Sequence, residues 1–292
     1  MNITNEYGLP AQLVDAASSE YRYKPKQYSV TALLRGACET ILMRRHADRI
    51  SQDVADMAWA IFGTAVHKVI EEAQEADDEL KEEYIKVAHP SGYTVSGRFD
   101  SYNASEKCIT DWKVTSCWKV IYDEWDDYRM QLLLYCWMMR QIGFDANKGR
   151  SVILLKDHSK SKAKYDRSYP QHPIHVKEFE FTEKDFEEAE RFLAERFAEI
   201  ERLEDVPDED LPACSPSERW AKGDKWAVMK KGRKKAVKLY DSEPEAETSA
   251  SVRNNMEGGG YYVEHRPGED GKCSGYCSVS AWCPYWQAKE GK

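Results

Sequence analysis

The fold is decided by the stretch ITDWKVTS, from Ile109 to Ser116, in which an otherwise apolar run contains an aspartate and a lysine two residues apart. Alternate residues of a strand share one face of a sheet, so Asp111 and Lys113 lie together while Trp112 lies on the opposite face. Taken alone, the pair is most simply an exposed ion pair on a half-solvated strand, because D-x-K is common by chance. A functional interpretation therefore depends on which other polar residues reach this strand.

The composition is that of a folded protein. Of 292 residues, 41% are hydrophobic, which is enough for one large domain or for a catalytic domain with an appended module. The formal net charge of -9 argues against a chain that coats nucleic acid indiscriminately, although it leaves room for a local basic surface. No apolar run approaches the ~20 residues of a membrane helix, and the first residues lack the order of a signal peptide. We expect a cytoplasmic protein with no membrane partner, located in the host cytoplasm if it is phage-encoded.

Hydrophobic periodicity predicts helices and strands in an order typical of α/β proteins. The expected helices span 28–46, 54–76, 125–142 and a long segment after Thr182, which is expected to cap it with Asp185 at N3. The expected strands span 83–89, 93–102, 107–116, 151–156 and 174–181, and the last two are joined by a polar loop, KDHSKSKAKYDRSYPQHP. The first three strands read as a β-meander. We therefore predict an α/β fold whose mixed central β-sheet is flanked by helices.

An acidic, proline-punctuated segment, EDVPDEDLP at 204–212, marks the best domain boundary. It separates a core with N-terminal helices, residues 1–204, from a C-terminal module, residues 205–292. The other acidic runs, at 71–83 and 178–190, are most simply solvated helix faces.

A second carboxylate is expected beside Asp111. Asp100 ends the preceding strand in YTVSGRFD, so a short turn would place the two side chains next to each other. Gly97, in the same strand, would leave the backbone open for close approach by a ligand.

The flanking helices add three more polar side chains. His67 lies on the flank of an apolar stripe in the helix before these strands, and that stripe comprises Val66, Val69, Ile70 and Ala73. Gln131 and Tyr135 fall at i and i+4 on the helix after the strands. A lone histidine is more often structural, and the Gln131–Tyr135 pair alone is more often ordinary helix surface.

Together these residues have the chemistry of phosphodiester hydrolysis. Two carboxylates and an imidazole bind a hard divalent cation such as Mg²⁺ or Mn²⁺, which keeps water molecules for the reaction. The lysine on the same strand face could orient or deprotonate such a water and offset negative charge on a phosphate.

The order G-x-x-x-H, G-R-F-D, D-W-K and Q-x-x-x-Y, on helix, strand, strand and helix, resembles the PD-(D/E)XK nuclease superfamily, in particular its RecB-like and phage exonuclease-like branch. The motifs cover about residues 28–180, and no proline precedes Asp100 where the superfamily's name expects one. The resemblance implies a restriction-endonuclease-like core. It also implies that His67, Asp100 and Asp111 are metal ligands, that Lys113 is the catalytic lysine, and that supporting roles fall to Gln131 and Tyr135.

Cysteines crowd near the end of the chain in CSGYCSVSAWCP, at Cys273, Cys277 and Cys283. In a reducing compartment such a cluster favours metal binding over disulfides. Both a Zn²⁺ ion and an iron–sulfur cluster take four thiolates. RecB-like and CRISPR-associated relatives carry a 4Fe-4S cluster on three C-terminal cysteines and one remote cysteine, and the resemblance implies the same here. Cys214 is the favoured fourth ligand and Cys38 the alternative.

A basic hairpin is expected between these cysteines, in KWAVMKKGRKKAVKLY. Its central cations are Lys230, Lys231, Arg233, Lys234 and Lys235. Trp220, Trp226 and Tyr240 are interleaved with them, a combination that holds single strands through phosphates and stacked bases. A merely solvated hairpin is about as good an interpretation.

The leading interpretation is a Mg²⁺-dependent DNA exonuclease of RecB-like type. Its expected partners are DNA, single-stranded or with a free end, and recombination or replication proteins. Two alternatives stay open: a non-catalytic DNA-binding or assembly protein of recombination or repair, which would bind DNA without turnover, and an endonuclease, which would cut closed circular DNA.

Overall fold

A computed structural model describes residues 2–18, 23–73 and 78–291 of the 292-residue chain. The chain divides into two compact units, Met1–Val206 and Pro207–Lys292. In the first unit the strands are β1 (Asn2–Thr4), β2 (Gln27–Ser29), β3 (Ser51–Asp53), β4 (Glu79–Lys81), β5 (Tyr84–Ala88), β6 (Thr94–Arg98), β7 (Ser101–Asn103), β8 (Cys108–Thr115), β9 (Lys148–Leu155) and β10 (Ile174–Glu180). The helices are α1 (Ala11–Ala17), α2 (Val30–Leu33), α3 (Ala37–Arg45), α4 (Ala58–Glu71), α5 (Cys117–Tyr122), α6 (Asp126–Gln141), α7 (Lys160–Tyr165) and α8 (Glu183–Leu203).

The stretch quoted at the outset forms the centre of the main sheet. This sheet has five strands in the order β10-β9-β8-β7-β4, and β8 pairs in parallel with β9 and antiparallel with β7. Ile109 is fully buried, as expected of a strand covered on both sides. The mixed α/β architecture agrees with the prediction from periodicity.

The predicted β-meander is wrong. β5 and β6 pair with each other and join β2 in a separate three-stranded sheet, whereas β7 belongs to the main sheet. The chain passes from one sheet to the other at Phe99 and Asp100, between β6 and β7. Strand propensity locates strands but does not say which sheet they join, and the crossing itself places Asp100 at the edge of β8.

The helix predicted over 28–46 is also interrupted. Ser29 caps α2 by accepting the N–H of Ala32, α2 ends at Leu33, and α3 begins after Gly36, whose extended backbone separates the two helices. Glycine is a poor helix former, and here it breaks an otherwise continuous apolar periodicity.

The apolar stripe of the helix predicted over 54–76 does not face the core. A short 3-10 turn (Val54–Met57) precedes α4, every residue of α4 is at least partly exposed, and Val69 is 70% exposed. The last predicted residues, 74–76, lie outside the described residues. Periodicity identifies an apolar face, but it does not identify what covers that face.

Helix α6 is the most buried helix of the first unit. Eight consecutive residues, Leu132 to Met139, are buried, because α6 packs against β8 and β9 on one side and against α8 and β5 on others. Helix α8 begins at the predicted capping box, in which Thr182 and Asp185 satisfy each other's backbone N–H groups.

The second unit consists of a small sheet and five helical segments, and its last part carries three cysteines. Its elements are a 3-10 turn (Asp208–Asp210), β11 (Lys225–Lys230), β12 (Lys238–Tyr240), α9 (Glu243–Glu257), β13 (Tyr261–Arg266), α10 (Gly271–Gly275), a second 3-10 turn (Ser280–Trp282) and α11 (Pro284–Glu290). The strand order is β12-β11-β13, and α9 covers the sheet through Ala246 and Ala250. Among the described residues of the whole chain, no helix has both the length and the apolar character needed to cross a bilayer.

Candidate functional site

The second half of β8 is exposed along one edge because its neighbour is short. β7 has three residues, and its pairing with β8 reaches only from Cys108 to Thr110. Asp100, which directly precedes β7, continues this edge with its side chain: its Oδ2 accepts the N–H of Trp112 at 2.7 Å. The carboxylate thus takes the place of a strand partner and lies beside Asp111.

Asp111 is buried and incompletely satisfied. Its Oδ1 accepts from the Nζ of Lys113 at 2.9 Å and from the Nε2 of Gln131 at 3.3 Å. Its Oδ2 is buried and has no hydrogen-bond partner within the described part of the chain. Burial raises the pKa of Asp111 to about 6; the nearby Asp100 adds to this effect and Lys113 opposes it. A buried carboxylate oxygen without a partner is costly, and a bound cation would remove that cost.

A second set of ligand atoms lies next to this carboxylate. The Nδ1 of His67 is 3.3 Å from the Oδ1 of Asp100, and this contact raises the pKa of the imidazole above its ordinary value. One ligand atom each from His67, Asp100 and Glu82 lies within 4.8 Å of the other two. Such spacing suits a single metal ion.

Glu82 was missed by the sequence analysis. It lies between β4 and β5 in a left-handed backbone conformation, with φ of 52°, and its N–H donates to the carbonyl oxygen of Asp100 at 3.0 Å. Burial, followed by the charges of Asp100 and Glu71, raises the pKa of Glu82 above its ordinary value. The acidic run at 71–83 was interpreted as a solvated helix face, which is wrong for Glu82. The available signal was its position immediately before a strand that pairs with the strand preceding Asp100.

A cavity of about 330 Å³ opens beside these groups, and its lining includes His67, Glu71, Glu82 and Asp100. Carboxylates crowded together in a partly buried site repel one another, and a divalent cation relieves that repulsion. The donor set of carboxylate oxygens and one imidazole, with an orphaned oxygen on Asp111, fits Mg²⁺ or Mn²⁺.

Gln131 and Tyr135 support Asp111 from α6. The Gln131 side chain makes hydrogen bonds with both the Asp111 carboxylate and the Tyr135 side chain. Tyr135 is buried, and burial raises the pKa of its phenol. The expected opening for a ligand at Gly97 is wrong, because the Tyr135 ring fills it: a Cβ at Gly97 would lie 2.6 Å from Cε1 of that ring.

The cysteines fall into two groups. Cys108, Cys117 and Cys136 are buried singly, as expected of small apolar side chains, and Cys38 is buried in α3. The other four, Cys214, Cys273, Cys277 and Cys283, lie in the second unit.

Cys214 and Cys283 lie close enough to Cys273 to affect the pKa of its thiol. Burial, Asp270, Cys283 and Cys214 together raise the pKa of Cys273 to about 11. Within the described residues no three sulfurs lie within 4.8 Å of one another. Four thiolates on one Zn²⁺ at 2.3 Å would lie closer, at roughly 3.8 Å, whereas an iron–sulfur cluster separates its thiolates more widely.

A buried aspartate connects segments of the second unit near these cysteines through ion pairs. Asp270 bonds Arg219 at 2.9 Å and Lys289 at 2.7 Å, and Arg219 also donates to the carbonyl oxygen of Cys214.

The basic hairpin forms with its turn at Gly232, but most of its aromatic rings face inward. Trp226 and Tyr240 pack against the core of the second unit, and the Tyr240 hydroxyl bonds Ser249. Lys230 bonds the Tyr261 hydroxyl at 3.0 Å. The remaining central cations, Lys231, Arg233, Lys234 and Lys235, are exposed at the turn, and Trp220 is exposed outside the hairpin.

Two solved structures are similar to this chain. The first, the protein SSO0001, is 17% identical with a TM-score of 0.46, and the match covers 71% of this chain and 90% of that one. The second, an alkaline exonuclease from Laribacter hongkongensis, is 14% identical with a TM-score of 0.32, and the match covers 61% of this chain and 91% of that one. Likenesses this distant carry no argument about fold or activity. No protein-family model and no curated protein matches the sequence.

Proposed function

We propose that this protein is a divalent-metal-dependent deoxyribonuclease with a restriction-endonuclease-like core, which hydrolyses phosphodiester bonds from a DNA end. The observation that carries the proposal is the group of ligand atoms from His67, Glu82 and Asp100 at the open edge of β8. Beside it lie Asp111 and Lys113, which share one strand face. A cluster of oxygen ligands beside a lysine suits attack on a phosphate, where negative charge develops. The PD-(D/E)XK resemblance of the same residues points to the same chemistry.

The roles follow from the contacts. His67, Glu82, Asp100 and Asp111 would hold Mg²⁺ or Mn²⁺, which supplies a Lewis acid and an acidified water molecule when it is bound. Lys113 donates a hydrogen bond to Asp111 at 2.9 Å, and its ammonium group offsets charge on the phosphate. Gln131 fixes the orientation of the Asp111 carboxylate, and Tyr135 holds Gln131.

The second unit would bind a 4Fe-4S cluster through Cys214, Cys273, Cys277 and Cys283. The effect of Cys283 and Cys214 on the pKa of the Cys273 thiol supports a shared site for these cysteines. The choice of a cluster over Zn²⁺ rests on the resemblance to RecB-like nucleases. Cys214 is the fourth ligand in this proposal, because it lies close enough to Cys273 to affect the pKa of that thiol. The exposed cations of the hairpin would contact DNA phosphates.

Cleavage of end-labelled DNA by the full chain with Mg²⁺ tests the catalytic proposal. Asp111→Ala should abolish cleavage and Lys148→Ala should not, because Lys148 pairs with Cys108 at the opposite end of β8. A linear substrate should be degraded progressively while closed circular DNA stays intact, since an exonuclease needs an end. Full activity of Asp111→Ala would refute the nuclease assignment. Discrete fragments from circular DNA would identify an endonuclease, and binding without turnover a non-catalytic DNA-binding protein.

A further inference from the structure

Two pairs of exposed aromatic rings lie beside the end of β8. On α5, Trp118 and Tyr122 are stacked with ring centroids 5.5 Å apart, and they are 52% and 64% exposed. At the start of α4, Trp59 and Phe62 meet edge to face at 6.3 Å, and Trp59 is 58% exposed. Rings of this size dominate binding energetics, and a cluster of them at the surface marks an interaction site.

The backbone beneath the α5 rings is anchored. Another side of α5 packs Cys117 and Ile121 into a hydrophobic cluster that includes Ala163 of α7. The N–H of Cys117 donates to the Oδ1 of Asp157 at 2.7 Å. Trp118 and Tyr122 are therefore presented on a fixed helix face, and they do not belong to a frayed segment.

Lysines accompany both pairs of rings. The Nζ of Lys156 lies 4.0 Å from the centre of the Trp59 ring, and the Nζ of Lys162 lies 5.6 Å from that of Trp118. The segment KDHSKSKAKYDR, predicted to be a polar loop, in fact contains α7. It exposes Lys156, Lys160, Lys162, Lys164 and Arg167 in a protein whose net charge is -9. This local excess of positive charge is complementary to a polyanion.

These rings are connected directly to the candidate active site. The N–H of Lys156 donates to the carbonyl oxygen of Thr115, the last residue of β8, at 2.9 Å. The side chain of Ser116, the next residue, accepts the N–H of Trp118 at 3.1 Å. Two residues before Thr115 is Lys113.

We propose that the ring surface, made of Trp59, Phe62, Trp118, Tyr122, Lys156 and Lys162, binds a single strand of DNA next to the site at Asp111 and Lys113. Unpaired bases stack on the exposed rings, and the lysines neutralise the adjacent phosphates. The assignment of DNA as the ligand rests on the proposed function. The surface differs from the basic hairpin, whose Trp226 and Tyr240 pack inward and cannot receive bases.

Binding of a fluorescent oligo-dT of roughly 15 nucleotides by the full chain, measured by anisotropy in EDTA, tests the proposal. Trp118→Ala and Trp59→Ala should each weaken binding by roughly 5- to 100-fold, the range found for lost base stacking. Trp118→Phe keeps a flat ring and should restore most of the affinity. The matched control is Phe144→Ala: Phe144 is also exposed, but it contacts Tyr102, which pairs with Ile109 near the opposite end of β8.

A charge variant provides a second, independent measurement. Lys162→Glu should weaken binding and reduce its salt dependence, whereas Lys148→Glu should not. A blunt duplex should bind with the same affinity to the wild type and to Trp118→Ala, because paired bases cannot stack on the ring.

Wild-type affinity in both tryptophan variants overturns the proposal, as does an equal loss of duplex binding or the absence of oligonucleotide binding by the wild type. EDTA prevents metal-dependent cleavage, so this outcome is separate from that of the proposed function. If the protein cleaves DNA but the tryptophan variants bind normally, only the ring surface is refuted. If these variants lose binding but the wild type never cleaves, only the nuclease is refuted.

Discussion

The protein has two candidate metal sites of opposite chemistry. The first unit offers carboxylate oxygens and one imidazole beside a central strand, which suit a hard cation. The second unit offers four thiols on turns and short helices, which suit soft metals. The candidate oxygen site contains carboxylates that repel one another unless a cation is bound, whereas the proposed thiol site would join separate segments of a small unit.

The difference indicates a division of labour. A site that reacts needs exchangeable waters and a nearby acid, base or electrostatic group, and Lys113 lies at the oxygen site. A closed thiolate site has no open position and contributes to folding. We therefore expect that each site can be removed without loss of the other.

The largest effect is expected for Lys113→Ala. Loss of the ammonium group should reduce the rate of DNA cleavage by about 1000-fold, comparable to the removal of a transition-state donor. Binding of Mn²⁺ should not weaken, because a positive charge next to the metal ligands has been removed. Cleavage rates and calorimetric titration of Mn²⁺ measure the two effects. Unchanged cleavage would remove Lys113 from the reaction, and loss of iron from this variant would contradict the independence of the two sites.

A large effect that is limited to the second unit is expected for Cys277→Ser. A 4Fe-4S cluster makes the protein brown with absorbance near ~400 nm, whereas Zn²⁺ has a filled d shell and gives no colour. The variant should lose this absorbance and its iron, and the second unit should become more sensitive to proteolysis. Mn²⁺ binding by the first unit should be retained. A colourless wild type that contains zinc would contradict the cluster, and Cys136→Ser is the control for a singly buried cysteine.

A smaller effect is expected for Glu82→Gln. The amide keeps the size and one acceptor oxygen of the side chain but removes its charge. Mn²⁺ affinity should therefore fall by roughly 10-fold, the size of loss found when a group that supports a metal site is mutated. Iron content should stay the same. Glu79→Gln is the control, because Glu79 lies on the adjacent strand but is outside the three-residue ligand group. Equal Mn²⁺ affinity in the wild type and in Glu82→Gln would exclude Glu82 from the site.

Local patterns predicted much of the framework. Strand alternation put Asp111 and Lys113 on one face, and the hydrogen bond between their side chains agrees. The capping box at Thr182 was readable because all of its parts lie within four residues. The role of Glu82 could not be predicted from the sequence. It depends on a left-handed backbone conformation and on the crossing between two sheets, which brings the carbonyl oxygen of Asp100 to the N–H of Glu82.

The exposed rings of α4 and α5 were missed for a related reason. Periodicity predicts a helix around Trp59, but only the packing of the whole unit determines which side is covered. The short helix that carries Trp118 was not predicted. The Tyr135 ring against Gly97 is a similar case, since two residues far apart in sequence fill one space.

We propose above that the open edge of β8 holds a divalent cation. Anomalous diffraction from crystals of the full chain soaked in Mn²⁺ tests it most directly. We expect a manganese peak within about 2.5 Å of ligand atoms from His67, Asp100 and Asp111, with Glu82 at the same ion or at a bound water. A peak elsewhere on the protein, with none among these four residues at saturating Mn²⁺, would contradict it.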